Sequence, residues 1–262
     1  MKMLLKRNLK MKRLYLLIAC IVLFNMTVLA QYTGGNGDGY SSASSSAGWV
    51  TSLRLSVKVF LQGPYNTGTS LMNTTLQSSG VLAAHFGSTP IPAGAVDSVN
   101  IELRDSVSAA LSTLRVYAPA WLMADGTLRG FGDTAKAYVE LDAPIGSYYI
   151  VVRHRNHLAI MSAGKIVYTT DNTSYDFTTA QAQAYGTNPM AALTGGSFGI
   201  YAGDSNKDGQ VTALDFNTWN ANTKAGQVGY VNDDMNLDGQ VTALDFNYWN
   251  ANTKLGTISN VP

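Results

Sequence analysis

AVDSVNIELRD, residues 95–105, places Val96, Val99, Ile101 and Leu103 among polar and charged neighbours. Successive side chains of a β-strand point to opposite faces, so this near-alternation predicts a strand with one face in a core. The same texture extends on both sides, from Trp49 to about Tyr201. LRLSVKVFL (53–61) alternates through Leu53, Leu55, Val57 and Val59. STLRVYAPAWLM (112–123), AKAYVELD (135–142), SYYIVVRH (147–154) and HLAIMSAGKIVY (157–168) are further short runs, separated by Gly, Pro, Asp and Asn. Short strands with turn signals every ~8 to 12 residues predict a mainly β fold, with a β-sandwich over residues 49–201. Short helices are expected within 71–80 and 186–193, and neither changes the class.

The first thirty residues stand apart. Lys2, Lys6, Arg7, Lys10, Lys12 and Arg13 precede an apolar run from Leu14 to Phe24 and a small-residue end, Val28-Leu29-Ala30. That order predicts a signal peptide over 1–30 and a secreted, extracellular or cell-surface protein. Leu17-Ile18-Ala19-Cys20 also has the look of a lipoprotein processing site, although the apolar run continues past the cysteine. Asn25 and Thr27 cut the run short of the ~20 apolar residues a span needs, so no membrane span is expected in the mature chain. Residues 31–48, QYTGGNGDGYSSASSSAG, are small and polar, the composition of a flexible leader.

Without residues 1–30 the chain carries 12 basic and 17 acidic side chains, a formal charge of −5 in place of +1. Nucleic acid is therefore not an expected partner. Cys20 is the sole cysteine, so the mature chain has neither disulfide nor thiol chemistry and must be held by its core or by a ligand.

After Tyr201 the composition shifts to seven Asp against three Lys, marking a second, α-helical domain over 202–262. DGQVTALDFNTWNANTK (208–224) returns as DGQVTALDFNYWNANTK (238–254), identical at 16 of 17 positions. Counted as a twelve-residue loop from Asp204, oxygen donors fall at positions 1, 3, 5, 9 and 12: Asp204, Asn206, Asp208, Thr212 and Asp215. The second copy supplies Asp234, Asn236, Asp238, Thr242 and Asp245. Gly209 and Gly239 occupy position 6, where the chain must reverse sharply, and Gln210 and Gln240 would offer backbone carbonyls from position 7. Thr212 and Thr242 would coordinate directly or through water and double as helix N-caps. This is the spacing of an EF-hand calcium loop with Asp in place of Glu at position 12, and it predicts two bound Ca²⁺ ions. Three carboxylates in each loop repel one another without a cation, so calcium is expected to drive folding of the segment. The following helices carry Asn at 217, 220, 222, 247, 250 and 252 and must be held by packing, with Phe216, Trp219, Phe246 and Trp249 as the small core between copies.

Two loop-plus-helix calcium motifs of the form D-x-N-x-D-G-x-V-x-x-x-D-F, lacking a first EF-hand helix, resemble a type I dockerin over about residues 202–256. The resemblance implies a non-catalytic plug that binds a cohesin-like module and attaches its chain to a polysaccharide-degrading or cell-surface complex. It also implies that loop positions 10 and 11, here Ala213-Leu214 and Ala243-Leu244, help choose the partner, and that their identity permits two docking orientations. Dockerin helices usually carry more Leu, Lys and Arg than these. In the β region, VELD (139–142), YYIVVRHRNHLAIMS (148–162) and SYDFTT (174–179) resemble a module of secreted Bacteroidota-type surface proteins, some labelled haemagglutinin-like.

Catalytic motifs are missing. Only two Glu occur, Glu102 and Glu140, both within strand patterns, and there is no G-x-S-x-G, H-E-x-x-H or phosphate loop. The balance falls against an enzyme, with glycan hydrolysis as the activity to test, and a carbohydrate-binding sandwich carrying an attachment domain is the alternative function. Trp49, Trp121, Tyr148 and Tyr149 are the aromatic residues such a polysaccharide surface would use, though core positions suit them better. The polar run Arg153-His154-Arg155-Asn156-His157 reads as a strand end whose arginines pair with acids such as Glu102, Asp105 or Asp142. A third reading has the calcium pair capping its own sandwich with no partner.

Overall fold

The computed structural model describes residues 52–262. The expected signal peptide, the leader and Trp49 lie outside the described residues. The described residues, 52–262, belong to one compact unit.

The fold is mainly β. In chain order the strands are β1 (Ser52–Lys58), β2 (Phe60–Leu61), β3 (Tyr65–Asn66), β4 (Leu71–Met72), β5 (Ala95–Arg104), β6 (Arg115–Met123) and β7 (Leu128–Gly130). They continue with β8 (Val139–Asp142), β9 (Gly146–Arg153), β10 (Ile160–Met161), β11 (Ile166–Tyr168), β12 (Thr173–Asp176), β13 (Ala191–Ala192) and β14 (Phe198–Ile200). The larger sheet runs β10-β9-β5-β6-β7, with β11 also on β9, and every pairing is antiparallel. The second sheet is β12-β1-β8, with β1 parallel to β12 and antiparallel to β8. A small sheet, β13-β14-β2, and the β3-β4 pair complete the set.

Between the two larger sheets, Leu53, Leu55 and Val57 of β1 and Val139 and Leu141 of β8 share one core with Val99, Ile101 and Leu103 of β5 and Ile150 and Val152 of β9. Each such side chain contributes up to ~1.5 to 3 kcal/mol by leaving water. The three-residue step from Val96 to Val99 has a local cause: the β5–β6 register shifts between Ala95 and Asp97, as a bulge does. Trp121 and Tyr148 lie in the core, so neither belongs to an exposed aromatic platform.

Three charged residues of β5 are buried as well: Asp97, Glu102 and Arg104 are each 0% exposed, which requires partners for every charge. Glu102 accepts from Arg104 Nε at 2.7 Å and Nη2 at 3.2 Å, from Arg115 Nε at 2.9 Å and from Arg153 Nε at 3.2 Å. Burial works against its carboxylate, but these hydrogen bonds and charges outweigh burial and hold its pKa at about 2.

Four α-helices are described. Helices α1 (Thr75–Ser78) and α2 (Val81–Phe86) bury Leu76 and Leu82 in the core. The first falls within the helix expected over 71–80, and VLAAHF is too short for its periodicity to register in sequence. Residues 186–193 form no helix, contrary to expectation. Ala191–Ala192 pairs with Phe198–Gly199, Gly186 and Asn188 have φ of 100° and 48°, and Pro189 disfavours helical backbone before it. Helices α3 (Ala213–Lys224) and α4 (Ala243–Leu255) follow the two acidic loops. Val211 and Leu237 of those loops lie inside the β region's core, and Tyr230 and Trp249 pack against it.

Candidate metal centre

Each acidic segment closes into the same turn. In the first loop, Asp204 Oδ2 accepts from Gly209 N at 3.2 Å, Asn206 Oδ1 from Asp208 N at 3.0 Å, and Asp208 Oδ1 from Gln210 N at 2.9 Å. Asp215 Oδ1 accepts from Asn206 N at 3.1 Å and Oδ2 from Thr212 N at 2.9 Å, drawing the last acid back across the loop. The second loop repeats this with Asp234 on Gly239 N at 3.0 Å, Asn236 on Asp238 N at 3.1 Å, Asp238 on Gln240 N at 2.9 Å, and Asp245 on Asn236 N at 3.1 Å and Thr242 N at 2.7 Å. Gly209 and Gly239 have φ of 83° and 87°, the left-handed conformation that position 6 demands.

Thr212 and Thr242 are N-caps, each accepting from the amide two residues on, and with Asp215 and Asp245 they complete capping boxes. Position 12 is thereby fixed at the start of its helix. Gln210 and Gln240 are fixed by pairing outside the loops. Gln210 bridges Ile258, with Ser259 N donating to Gly209 O at 2.7 Å and Val211 N to Thr257 O at 3.1 Å. Gln240 bridges Val228 in the same way, through Gly229 N to Gly239 O at 2.8 Å and Val241 N to Gln227 O at 3.2 Å. In such a pair the intervening residue turns its own N–H and C=O away from the partner strand, which directs the Gln210 and Gln240 carbonyls to the loop side.

The two copies close on each other with reciprocal contacts. Trp219 Nε1 donates to Thr242 O at 2.9 Å and Trp249 Nε1 to Thr212 O at 2.6 Å. Phe216, Trp219, Phe246 and Trp249 form a ring cluster with centroids 5.0 to 6.2 Å apart, as the sequence spacing predicts. Two of the unfavourable helix asparagines have structural work. Asn222 Nδ2 donates to Asp233 Oδ2, and Asn252 Nδ2 donates to Gln62 Oε1 and Ala202 O, both at 2.7 Å.

The donor set fits a hard divalent cation. Every candidate ligand atom is an oxygen, and the loop geometry brings Asp204, Asn206, Asp208 and Asp215 around one turn. Asp204 is 5% exposed, yet its Oδ1 has no hydrogen-bond partner. A buried carboxylate oxygen left this way is costly unless a cation meets it. Burial, then the neighbouring Asp215, pushes the Asp204 pKa up to about 7, and burial pushes Asp234 to about 7 against the opposing charge of Arg155. Among the described residues no group of three or more His, Cys, Asp and Glu side chains converges as a metal site. A cation held here would need Asn and backbone oxygens beside the carboxylates, several of which are turned to loop amides.

The polar run after β9 does something sequence did not show. Arg153 pairs with Glu102, as anticipated, but Arg155 pairs with Asp97 at 2.9 Å, an acid not among those expected. Asp97 also accepts from His154 Nε2 at 3.1 Å, Tyr230 Oη at 2.6 Å and Ser98 N at 2.7 Å. Burial disfavours its charge, but Arg155 and these donors outweigh burial and hold the carboxyl well below the usual range. His157 Nε2 accepts from Gly63 N at 3.2 Å, so its Nδ1 carries the proton and faces Asn156 Oδ1 at 2.7 Å and His154 Nδ1 at 3.1 Å. Burial holds both histidines neutral, His157 well below its ordinary range. They form a hydrogen-bonded chain that ends on Asp97. Arg155 also lies over the Tyr230 ring at 4.3 Å, and Tyr230 stacks on His85 at 3.9 Å. This network fastens the segment before the second loop to the sandwich.

Among the described residues no helix is long and apolar enough to cross a membrane. No protein-family model and no curated protein matches the chain. Among solved structures, a chain from a C-terminal interface mutant of a type II cohesin–X-dockerin complex of Acetivibrio cellulolyticus is similar, with 14% identity over 79% of this chain and 97% of that one and a TM-score of 0.41. A chain from the N-terminal interface mutant of such a complex gives 14% identity, 76% and 94% coverage and a TM-score of 0.40. Likeness at this level assigns neither family nor partner.

Proposed function

We propose that this is an exported, calcium-binding interaction protein. Its C-terminal pair takes two Ca²⁺ ions and docks, in the manner of a dockerin, onto a cohesin-like module, joining the sandwich to a polysaccharide-degrading or cell-surface complex. Asp204, Asn206, Asp208, the Gln210 carbonyl, Thr212 and Asp215 would hold one ion, and Asp234, Asn236, Asp238, the Gln240 carbonyl, Thr242 and Asp245 the other. A bound ion would neutralise the mutual repulsion of the loop carboxylates and hold each helix start in place.

One observation carries the docking part. The residues just past each N-cap, Ala213-Leu214 and Ala243-Leu244, stand out of the body, with Leu214 58% and Leu244 56% exposed. Two apolar side chains held in water at equivalent points of a paired structure suit a binding surface. The test is surface plasmon resonance of the full chain over immobilised cohesin modules of several types, with calcium or with EGTA. The reading expects calcium-dependent binding to at least one module and its loss in the double variant Leu214→Asp/Leu244→Asp. Binding indifferent to EGTA or to that variant, or no binding to any module, overturns it.

A further inference from the structure

The two copies diverge where they meet the sandwich. At loop positions 2 and 4 the first carries Ser205 and Lys207, and the second Met235 and Leu237. Met235 and Leu237 are both 0% exposed; of their counterparts Ser205 is also buried, at 4%, while Lys207 is open to solvent with Asn206 and Asp208 beside it. Lys207 and Leu237 share the left-handed backbone, φ 64° and 58°, so the turn of the loop sets this conformation in both copies, and only in the second does the side chain carried there enter the core. The second loop also crosses the sandwich at close range. A Cβ on Gly63 would lie 1.7 Å from Met235 O, and one on Gly239 would touch Val81 at 3.4 Å. Asn156 Nδ2 donates to Asp234 O at 2.6 Å, and Arg155 Nη1 donates to Val231 O.

Charge follows the same asymmetry. Arg155 Nη2, buried and without a hydrogen bond, stands 3.8 Å from Asp234 Oδ2. Asp234 has both oxygens occupied, by Asp238 N at 3.0 Å and Gly239 N at 3.0 Å. The first loop has no cationic side chain in this role, its Asp204 Oδ1 is unpartnered, and Asp204, Lys207, Asp208 and Gly209 line a solvent cleft of about 500 Å³.

We propose that the two loops are inequivalent: the second is a resident anchor that stays closed without a metal ion, with Arg155 as its counter-charge and Met235 and Leu237 as its hold on the core, and the first is the exchangeable site whose order depends on the divalent cation. The inference rests on the calcium reading above. A guanidinium beside a buried carboxylate offsets part of the repulsion that a cation would otherwise remove, and the buried anchors raise the cost of opening the loop. The first loop has Val211 in the core but no guanidinium beside Asp204 and no apolar side chain at positions 2 and 4.

Hydrogen–deuterium exchange of the full chain, resolved by peptide and measured with calcium and with EGTA, tests this. On chelation, amides of residues 206–212 are expected to lose protection on the order of tenfold or more, while those of 236–242 change by less than about threefold. In Arg155→Gln the second loop should become calcium-dependent as well; should that variant fail to fold, the wild-type comparison decides by itself. Equal loss in both loops, or greater loss in the second, overturns the inequivalence and leaves the calcium reading standing. No response in either loop overturns the calcium reading and this inference with it.

Discussion

Replacing Leu237 by Ala probes how the C-terminal pair is held. Leu237 is fully buried in the core that serves the sandwich, yet its backbone is left-handed, at a cost of roughly 1 to 2 kcal/mol for a residue with a Cβ. Burying a leucine contributes about 1.5 to 3 kcal/mol, so burial covers the strain. Alanine keeps the strain and loses the burial, and it leaves a cavity in the shared core. The expected cost is about 3 kcal/mol, inside the ~2 to 5 range of such truncations. Lys207→Ala, at the equivalent exposed position, should stay within about 0.5 kcal/mol of wild type. Urea unfolding of calcium-saturated protein, followed by tryptophan fluorescence and far-UV circular dichroism, measures both. One shared transition should move to lower urea in Leu237→Ala and stay in place in Lys207→Ala. A loss under about 1 kcal/mol, or a shift confined to a separate transition of the helical pair, would refute the shared core.

Other expectations follow from the same contacts. Glu102 has a folded pKa of about 2 against an ordinary value of 4.5, so the stability it contributes is complete above pH 4.5 and disappears as pH falls toward 2. The contribution is on the order of 3 kcal/mol, and wild type should lose about that much more stability than Glu102→Gln between pH 5 and pH 2, as read by urea titrations. Trp249→Phe removes the 2.6 Å hydrogen bond to Thr212 O, which then keeps only the 3.5 Å bond from Phe216 N, and should cost about 1 to 2 kcal/mol; an unchanged urea midpoint would show the reciprocal contacts to be dispensable. Gly63→Ala should cost ~1 to 3 kcal/mol or more because the second loop must back away from the new methyl, and a melting temperature equal to wild type would contradict the close crossing.

Much of this molecule was legible in its sequence because the informative patterns are local. Alternation in residues 95–105 and 53–61 gave two central strands, and the doubled loop gave the positions of α3 and α4, their Thr caps and the aromatic cluster. The failures share a cause, which is dependence on distant partners. Residues 186–193 have helix-compatible composition, but β14 recruits Ala191–Ala192 into a strand. Asp97 looked like one acid among several, and only the fold brings Arg155, His154 and Tyr230 to it across more than fifty residues. The docking of the second loop did leave a trace in sequence. Ser205 against Met235 and Lys207 against Leu237 are polar-to-apolar exchanges within a closely matched repeat, and they mark the copy whose positions 2 and 4 are buried apolar side chains.

The claim on which the account turns is that each loop is a cation site. Native mass spectrometry of the chain, desalted and then titrated with calcium, reads the number of bound ions directly. The account predicts two Ca²⁺ per wild-type chain and one in Asp204→Ala and in Asp234→Ala, with both variants keeping the wild-type far-UV spectrum in calcium. A wild-type chain that binds no calcium under these conditions would contradict it.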